Sequence, residues 1–424
     1  MLLLKRGSRG SETALLQLGL LRAGDLRGGI DGIFGPVTES ALRNFQRREG
    51  LSPDGIAGEK TWEKIAPWLC GYRVATIAPG DTYGMLAEKY RTSVAALTAA
   101  NPGYEAGNLP VGGELVVPQG FLLVPEGVPM SSSFAGFLSA GLPARYPFVR
   151  REEYGKSVAG RALTSLSVGE GEIRVHFGAA IHANEWITSL LLFRFLEEYA
   201  LAILSDDRIA GVPARTLFQR TRLVLTPLEN PDGCDLVTGA FPPGDLYQTA
   251  VRIAARYPSV AFPAGWKANI RGVDLNLQFP AGWEEARRIK FALGFTAPAP
   301  RDYVGRAPLS APEAAALASL TEKEGFARIL SFHTQGGVIY WEYGAKEPEG
   351  ARELGEKLSR ASGYPLAEPP LVSSYAGYKD WFIEKFERPG YTFEAGNGSN
   401  PLPLSAFPDL YDRIKPALVT ALSE

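Results

Sequence analysis

Residues 174–204 read RVHFGAAIHANEWITSLLLFRFLEEYALAIL. The first eight are a strand-like apolar run. From Ile187 to Leu204 the chain is again apolar, but Arg194, Glu197 and Glu198 interrupt it, which is wrong for a membrane span and right for an amphipathic helix. At the junction stands His182-Ala-Asn-Glu185. A spacing of three brings both side chains to one side of that junction, so a nitrogen and a carboxylate face the same point. Further apolar strands, Arg222-Leu-Val-Leu225 and Arg328-Ile-Leu-Ser-Phe332, alternate with helical stretches and predict an α/β domain over residues 148–424.

Open α/β sheets place ligand sites at the carboxyl ends of strands. His333 directly follows the strand ending at Phe332, and Glu394, in Tyr391-Thr-Phe-Glu-Ala-Gly396, ends a short β-rich run. Two histidines and one glutamate are a catalytic zinc set that leaves a fourth position for water. A second carboxylate beside such a site is what a hydrolase needs as general base. The remaining histidine, His176, lies six residues before His182 in an extended segment, roughly 20 Å away at about 3.3 Å per residue, and is read as structural.

At 424 residues the chain is long enough for two to three domains. Its 45% hydrophobic and 21% charged composition excludes a disordered, collagen-like or coiled-coil protein. A net charge of −2 gives no general attraction to nucleic acid or an anionic membrane, so neither is expected as a partner. Cys70 and Cys234 are too far apart in sequence to suggest a disulfide framework and are expected as buried thiols. The first residues show no secretory signal, so an origin in the cytoplasm is expected.

Residues 1–70 contain an internal repeat. Asp31-Gly-Ile-Phe-Gly-Pro-Val-Thr38 recurs as Asp54-Gly-Ile-Ala-Gly-Glu-Lys-Thr61, each copy introducing a helix-periodic stretch, and Ala14, Leu15, Leu18 and Leu21 supply a third helix upstream. This three-helix bundle resembles the peptidoglycan-binding-like domain of bacterial wall hydrolases. Residues 71–119 follow a strand, helix, helix, strand order. Asp81 or Thr82 is placed to cap the first helix, with Met85, Leu86 and Tyr90 expected on its buried face and Val94, Leu97 and Thr98 on that of the second. This βααβ unit resembles the LysM domain, and the resemblance implies contact of Asp81 and Thr82 with the N-acetylglucosamine backbone of peptidoglycan. Residues 120–147, with Pro125, Pro129, Ser131 to Ser133 and Pro143, read as a linker and lead-in segment.

The α/β region carries Tyr154-Gly-x-Ser-x-x-Gly-Arg161, His182 with Glu185, Glu229-Asn-Pro-Asp-Gly233, Gly272-Val-Asp-Leu-Asn276, Ser331-Phe-His333 and Thr392-Phe-Glu394. Together these resemble the zinc carboxypeptidases of the carboxypeptidase A type, which implies a mixed sheet flanked by helices and one zinc ion per catalytic domain. The resemblance implies His182, Glu185 and His333 as zinc ligands. It implies Glu394 as the base that deprotonates the attacking water and then protonates the leaving amine. Asp274 matches the carboxylate that orients the first zinc histidine, and Asn276 matches a substrate-carboxylate contact. The family's oxyanion arginine follows a tryptophan; here Lys267 follows Trp266, and Lys267 and Arg271 both remain candidates. Tyr375, rather than Tyr378, is taken as the mobile active-site tyrosine.

One position departs from the family. Asn276 is followed by Leu277, where the carboxypeptidases have an arginine that clamps the substrate's terminal carboxylate. Without that clamp an internal or branched amide becomes the expected target. The layout, including Gln278 and Thr334-Gln-Gly-Gly337, resembles the bacterial γ-D-glutamyl-L-diamino acid endopeptidases, which cut peptidoglycan stem peptides between D-glutamate and meso-diaminopimelate. Trimming of stem-peptide ends and a non-catalytic wall-binding role are the alternatives.

Overall fold

The structure, a computed structural model, describes residues 2–105, 107–344 and 346–424. The chain divides into two compact units, Met1–Val128 with Ser133–Arg151, and Pro129–Ser132 with Glu152–Glu424.

The first unit begins with helices α1 (Ser11–Arg22), α2 (Pro36–Arg48) and α3 (Glu59–Cys70), whose core holds Leu15, Leu18, Leu42, Phe45, Ile65 and Leu69. The repeated Asp-Gly turns have a common physical cause. Gln17 on α1 accepts from the backbone N–H groups of Asp31 and Gly32 and donates to Asp31 Oδ1 (2.7 Å) and Thr38 Oγ1 (3.0 Å). Gln46 on α2 does the same for the second copy, accepting from Gly55 and donating to Asp54 Oδ1 (2.8 Å) and Thr61 Oγ1 (3.3 Å). The buried glutamine is therefore part of the repeat, and each Asp and Thr is conserved between copies because one amide must be satisfied at both ends.

Next come the antiparallel strands β1 (Tyr72–Thr76) and β2 (Glu114–Pro118), separated by α4 (Tyr83–Tyr90) and α5 (Val94–Ala100). Thr82 accepts from the Met85 N–H at 3.2 Å as N-cap of α4, and Asp81 Oδ2 accepts from the Ala78 N–H at 2.8 Å. Both residues expected to touch glycan thus hold the turn that starts the helix. The expected helix faces are partly wrong: Met85 is 57% and Val94 45% exposed and Thr98 is also exposed, while Tyr83, Leu86, Ala87, Leu97 and Ala100 face inward. Helices this short offer too few positions for periodicity to fix their rotation.

The segment read as a linker contains a 14-residue helix, α6 (Ser132–Arg145). Gly141 is required there by close packing, since a Cβ would overlap the Cys70 carbonyl oxygen. Neither cysteine is bonded to the other; Cys234 is buried as expected, whereas Cys70 is only partly so.

The second unit is built on ten strands: β3 (Arg150–Lys156), β4 (Ala162–Val168), β5 (Ile173–Ala179), β6 (Arg208–Ile209), β7 (Val212–Pro213), β8 (Thr221–Thr226), β9 (Arg328–His333), β10 (Val338–Tyr340), β11 (Leu366–Ala367) and β12 (Gly390–Glu394). β6 and β7 form a small hairpin, and the other eight make one sheet in the order β11-β10-β12-β9-β5-β8-β4-β3. The central strands β8, β5, β9 and β12 are mutually parallel, whereas β4 runs antiparallel to β8 and β10 runs antiparallel to β12, with β11 parallel to β10. This is the expected mixed sheet. All six residues of β9 are buried, as befits a parallel strand covered on both faces. The helix after the H-x-x-E turn, α7 (Ile187–Ser205), buries most of its length and keeps Arg194 and Glu198 paired at 2.9 Å on its outer side.

His176 lies in β5 with Nε2 at 2.8 Å from Thr226 Oγ1, Nδ1 at 3.2 Å from the Tyr378 hydroxyl, and its ring stacked on Phe326. It is structural, as read. Burial lowers its pKa to about 3, and burial likewise raises those of its neighbours Glu229 (to about 8), Tyr154 and Tyr378, so no nearby anion supports an imidazolium. The unfolded chain takes a proton at His176 near pH 6.5 and the folded chain does not. Stability is therefore lost as pH falls from 6.5 towards 3. Urea unfolding at pH 6.5 and 4.5 is expected to show His176→Gln losing about 2 kcal/mol less than wild type over that interval; equal losses would contradict it.

Candidate active site

The carboxyl ends of β5, β9 and β12 lie side by side, and the candidate residues emerge from them. His333 is the last residue of β9 and Glu394 the last of β12, and the two are register partners. β5 pairs with β9 on the other side. Three residues beyond β5, His182 precedes the 3-10 turn Ala183–Glu185, which presents Glu185 on the same side. Asn230 secures this turn: its amide donates to the carbonyls of Ile181 and Ala268 at 3.1 Å each. Two other quoted motifs interlock beside it, with Arg161 donating to Asp232 at 2.7 Å and pairing with Asp235 at 2.9 Å.

His182 Nδ1, His333 Nδ1 and the Glu185 carboxylate converge, their donor atoms all lying within 4.8 Å of one another. His182 Nδ1 is 3.2 Å from Glu185 Oε1, His333 Nδ1 is 3.0 Å from Glu185 Oε2, and the two Nδ1 atoms are 3.1 Å apart. These separations approach the edges, about 3.3 Å, of a tetrahedron whose corners lie about 2.0–2.1 Å from its centre, the spacing of zinc ligands. On the far side of its ring, His182 Nε2 lies 3.2 Å from Asp274 Oδ1. With the proton on Nε2 for that carboxylate, Nδ1 turns a lone pair towards Glu185 and His333. Lone pairs facing a carboxylate at one point form a cation site, and the donor set suits zinc.

The electrostatics agree. Burial opposes charge on His182, yet the Glu185 and Asp274 carboxylates raise it to about 9. Burial also disfavours charge on Glu185, but Lys267 and His182 hold it well below the usual carboxylate range. Burial pushes the Glu394 carboxyl up, with the Glu185 charge adding to the effect and His333 opposing it. Asp274 is fixed in turn by the Asp302 N–H at 2.9 Å.

Of the two candidate oxyanion cations, Lys267 is at the site, with Nζ 2.8 Å from Glu185 Oε1. Arg271 is exposed on the tight turn closed by Asn269 and lines neither of the cavities that border the cluster. Two cavities border the cluster, one of about 130 Å³ that includes Asn276 and Leu277, and one of about 560 Å³ that includes Asn184 and Asn400; Lys267, Arg301, Tyr340, Ser373 and Glu394 line both. Asn276 Oδ1 accepts from the Tyr378 N–H at 3.0 Å. Tyr375 lines neither cavity. Its ring packs with Leu277, Trp283 and Ala376, so Tyr340 is the tyrosine that borders the cluster.

Sequence reading also missed a clamp on Glu185. The Thr334 N–H approaches Oε2 and the Asn400 amide approaches Oε1, each at 3.3 Å, while Asn400 and Thr334 bond each other at 2.7 Å. Thr334 was within reach as the neighbour of His333. Asn400 follows β12 in an irregular loop and carries no local signal.

Among known proteins, the family model described as Zinc carboxypeptidase matches residues 139–407, Putative peptidoglycan binding domain matches residues 9–65, and LysM domain matches residues 75–118. The chain is 44% identical over 270 residues to a protein of Lysinibacillus sphaericus named Gamma-D-glutamyl-L-diamino acid endopeptidase 1; the match covers 64% of this chain and 66% of that protein, just under two thirds of its length. A spore cortex-lytic enzyme of Bacillus cereus is 46% identical over 62 residues, 15% of this chain and 24% of that one. The bovine thrombin-activatable fibrinolysis inhibitor, solved with a tick carboxypeptidase inhibitor, shares the fold with a TM-score of 0.53 at 18% identity, covering 69% of this chain and 96% of that one. No helix among the described residues is long and apolar enough to cross a membrane. The chain therefore belongs to the zinc carboxypeptidase family, a zinc-dependent metallopeptidase family, and carries two modules of the peptidoglycan-binding kind in front of its catalytic domain.

Proposed function

We propose that this chain is a zinc endopeptidase that hydrolyses the amide between γ-D-glutamate and meso-diaminopimelate in peptidoglycan stem peptides. The observation that carries the reading is Leu277. Where the family has its carboxylate-clamping arginine, an apolar side chain packs against Trp283, Ala286, Val304 and Ala376 at the wall of the smaller cavity. A chain terminus finds no bidentate partner at that side chain, and selection for the last residue is lost. The name of the Lysinibacillus relative points to the same bond.

In this reading His182, Glu185 and His333 hold the zinc ion and Asp274 keeps His182 in its ligating tautomer. When bound, zinc supplies Lewis-acid polarisation of the scissile carbonyl and acidifies water. Glu394, at the border of both cavities, takes the proton from the attacking water and passes it to the leaving amine. Lys267 holds the negative charge that develops on the carbonyl oxygen, and Asn276 contacts the departing residue. The N-terminal modules keep the catalytic domain on glycan strands and raise the local substrate concentration. The match of the first module to a spore cortex-lytic enzyme favours wall material of a sporulating bacterium as the setting.

Mass spectrometry of digested tri- and tetrapeptide muropeptides tests the reading. Both substrates are expected to yield a muropeptide ending in D-glutamate, together with free diaminopimelate from the tripeptide and the dipeptide diaminopimelyl-D-alanine from the tetrapeptide. Release of D-alanine alone from the tetrapeptide, with the glutamyl bond intact, would contradict it.

A further inference from the structure

Four cations line the smaller cavity, and three have a carboxylate close at hand. Lys267 binds Glu185 at 2.8 Å, Lys379 binds Asp380 at 2.6 Å, and Lys290 binds Asp302 at 2.5 Å. The fourth, Arg301, must share Asp302 with Lys290: its Nε donates to Asp302 Oδ2 at 2.6 Å. Two cations on one carboxylate leave this trio with a net positive charge. The Arg301 side chain is 43% exposed, and among the described residues its two terminal nitrogens have no hydrogen-bond partner. Its position is nevertheless fixed, because the next residue bonds Asp274 through the Asp302 N–H, and Asp274 bonds His182. A guanidinium held at one edge with its other donors free is built to receive an anion bidentately.

Its place suggests which anion. Arg301 lines both cavities together with Lys267 and Glu394, so a group bound to it lies close to the bond being cut. Leu277 marks the smaller cavity as the side of the departing residue, which leaves the larger one for the acyl side. A γ-linked glutamyl residue carries a free α-carboxylate, and only two methylenes separate its α-carbon from the scissile carbonyl. An α-linked glutamyl residue has no carboxylate at that branch.

We propose that Arg301 is a specificity-determining residue that binds the free α-carboxylate of the γ-linked glutamyl residue on the acyl side of the scissile amide. The proposal rests on the endopeptidase reading above and assigns recognition of the γ linkage to one side chain.

The test uses the zinc-loaded, full-length protein and two synthetic peptides, L-Ala-γ-D-Glu-diaminopimelate and the same peptide with the glutamyl α-carboxylate converted to a carboxamide. Wild type is expected to favour the acid by about 10- to 100-fold in kcat/KM, the size of a lost charge-assisted pair. Arg301→Gln is expected to cleave the two peptides at similar rates, near the wild-type rate on the amide, while Arg301→Lys retains part of the preference. Thermal melting of each variant checks its fold. Equal cleavage of both peptides by wild type would overturn the proposal and leave the endopeptidase reading intact. A preference that survives in Arg301→Gln, with both rates merely lowered, would also overturn it. Cleavage of neither peptide by wild type would remove the underlying reading and the proposal with it.

Discussion

Glu394→Gln is expected to lower kcat on γ-D-glutamyl peptides by about 10²- to 10⁴-fold and to leave one zinc ion per chain. The side chain that replaces it has nearly the same shape but cannot accept the proton of an attacking water. Glu394 is not one of the three converging donors; it stands beside His333 at the end of the neighbouring strand, facing both cavities. Chemistry and metal retention should therefore separate in this variant. Zinc analysis and kinetics on the same preparation check the expectation, and a wild-type rate would remove Glu394 from the mechanism.

His333→Ala should do the opposite and lose the metal. Zinc binding worth about 10–16 kcal/mol over four ligands corresponds to roughly 3 kcal/mol per ligand, so affinity should fall by at least about 10²-fold. The fold should survive, because Lys267 still neutralises Glu185, and Asn400 and the Thr334 backbone still hold its two oxygens. A folded protein by circular dichroism, with little zinc after dialysis and no turnover, is the expected outcome. Full zinc content in this variant would exclude His333 as a ligand.

Part of this site is legible in the amino-acid sequence and part is not. His333 and Glu394 could be found because each ends an apolar strand, His182 because it stands three residues beyond one, and Glu185 because it follows His182 by three. Asp274 and Asn276 lie in a quoted motif, and the structure gives both definite hydrogen bonds. Several quoted motifs turn out to be scaffold: Arg161 and Asp232 clasp each other, and Asn230 pins the turn that carries His182. The residues that were missed come from irregular segments and reach the site only through contacts distant in sequence. Asn400 meets Glu185 across 215 positions, and Arg301 is tied to the site through Asp302 and Asp274. Tyr375 is a related case, since a local motif does not reveal that its ring packs with Leu277 and Trp283. Helix α6 was hidden by Gly136, Gly141 and Pro143, which read as breakers until Gly141 is seen packed against the Cys70 backbone.

Anomalous diffraction at the zinc absorption edge, on crystals of the zinc-loaded protein, addresses the arrangement most directly. A single peak per catalytic domain is expected, about 2.0–2.2 Å from His182 Nδ1, His333 Nδ1 and the Glu185 carboxylate, with Glu394 outside the coordination sphere. A peak elsewhere, or none between these three side chains, would contradict the account.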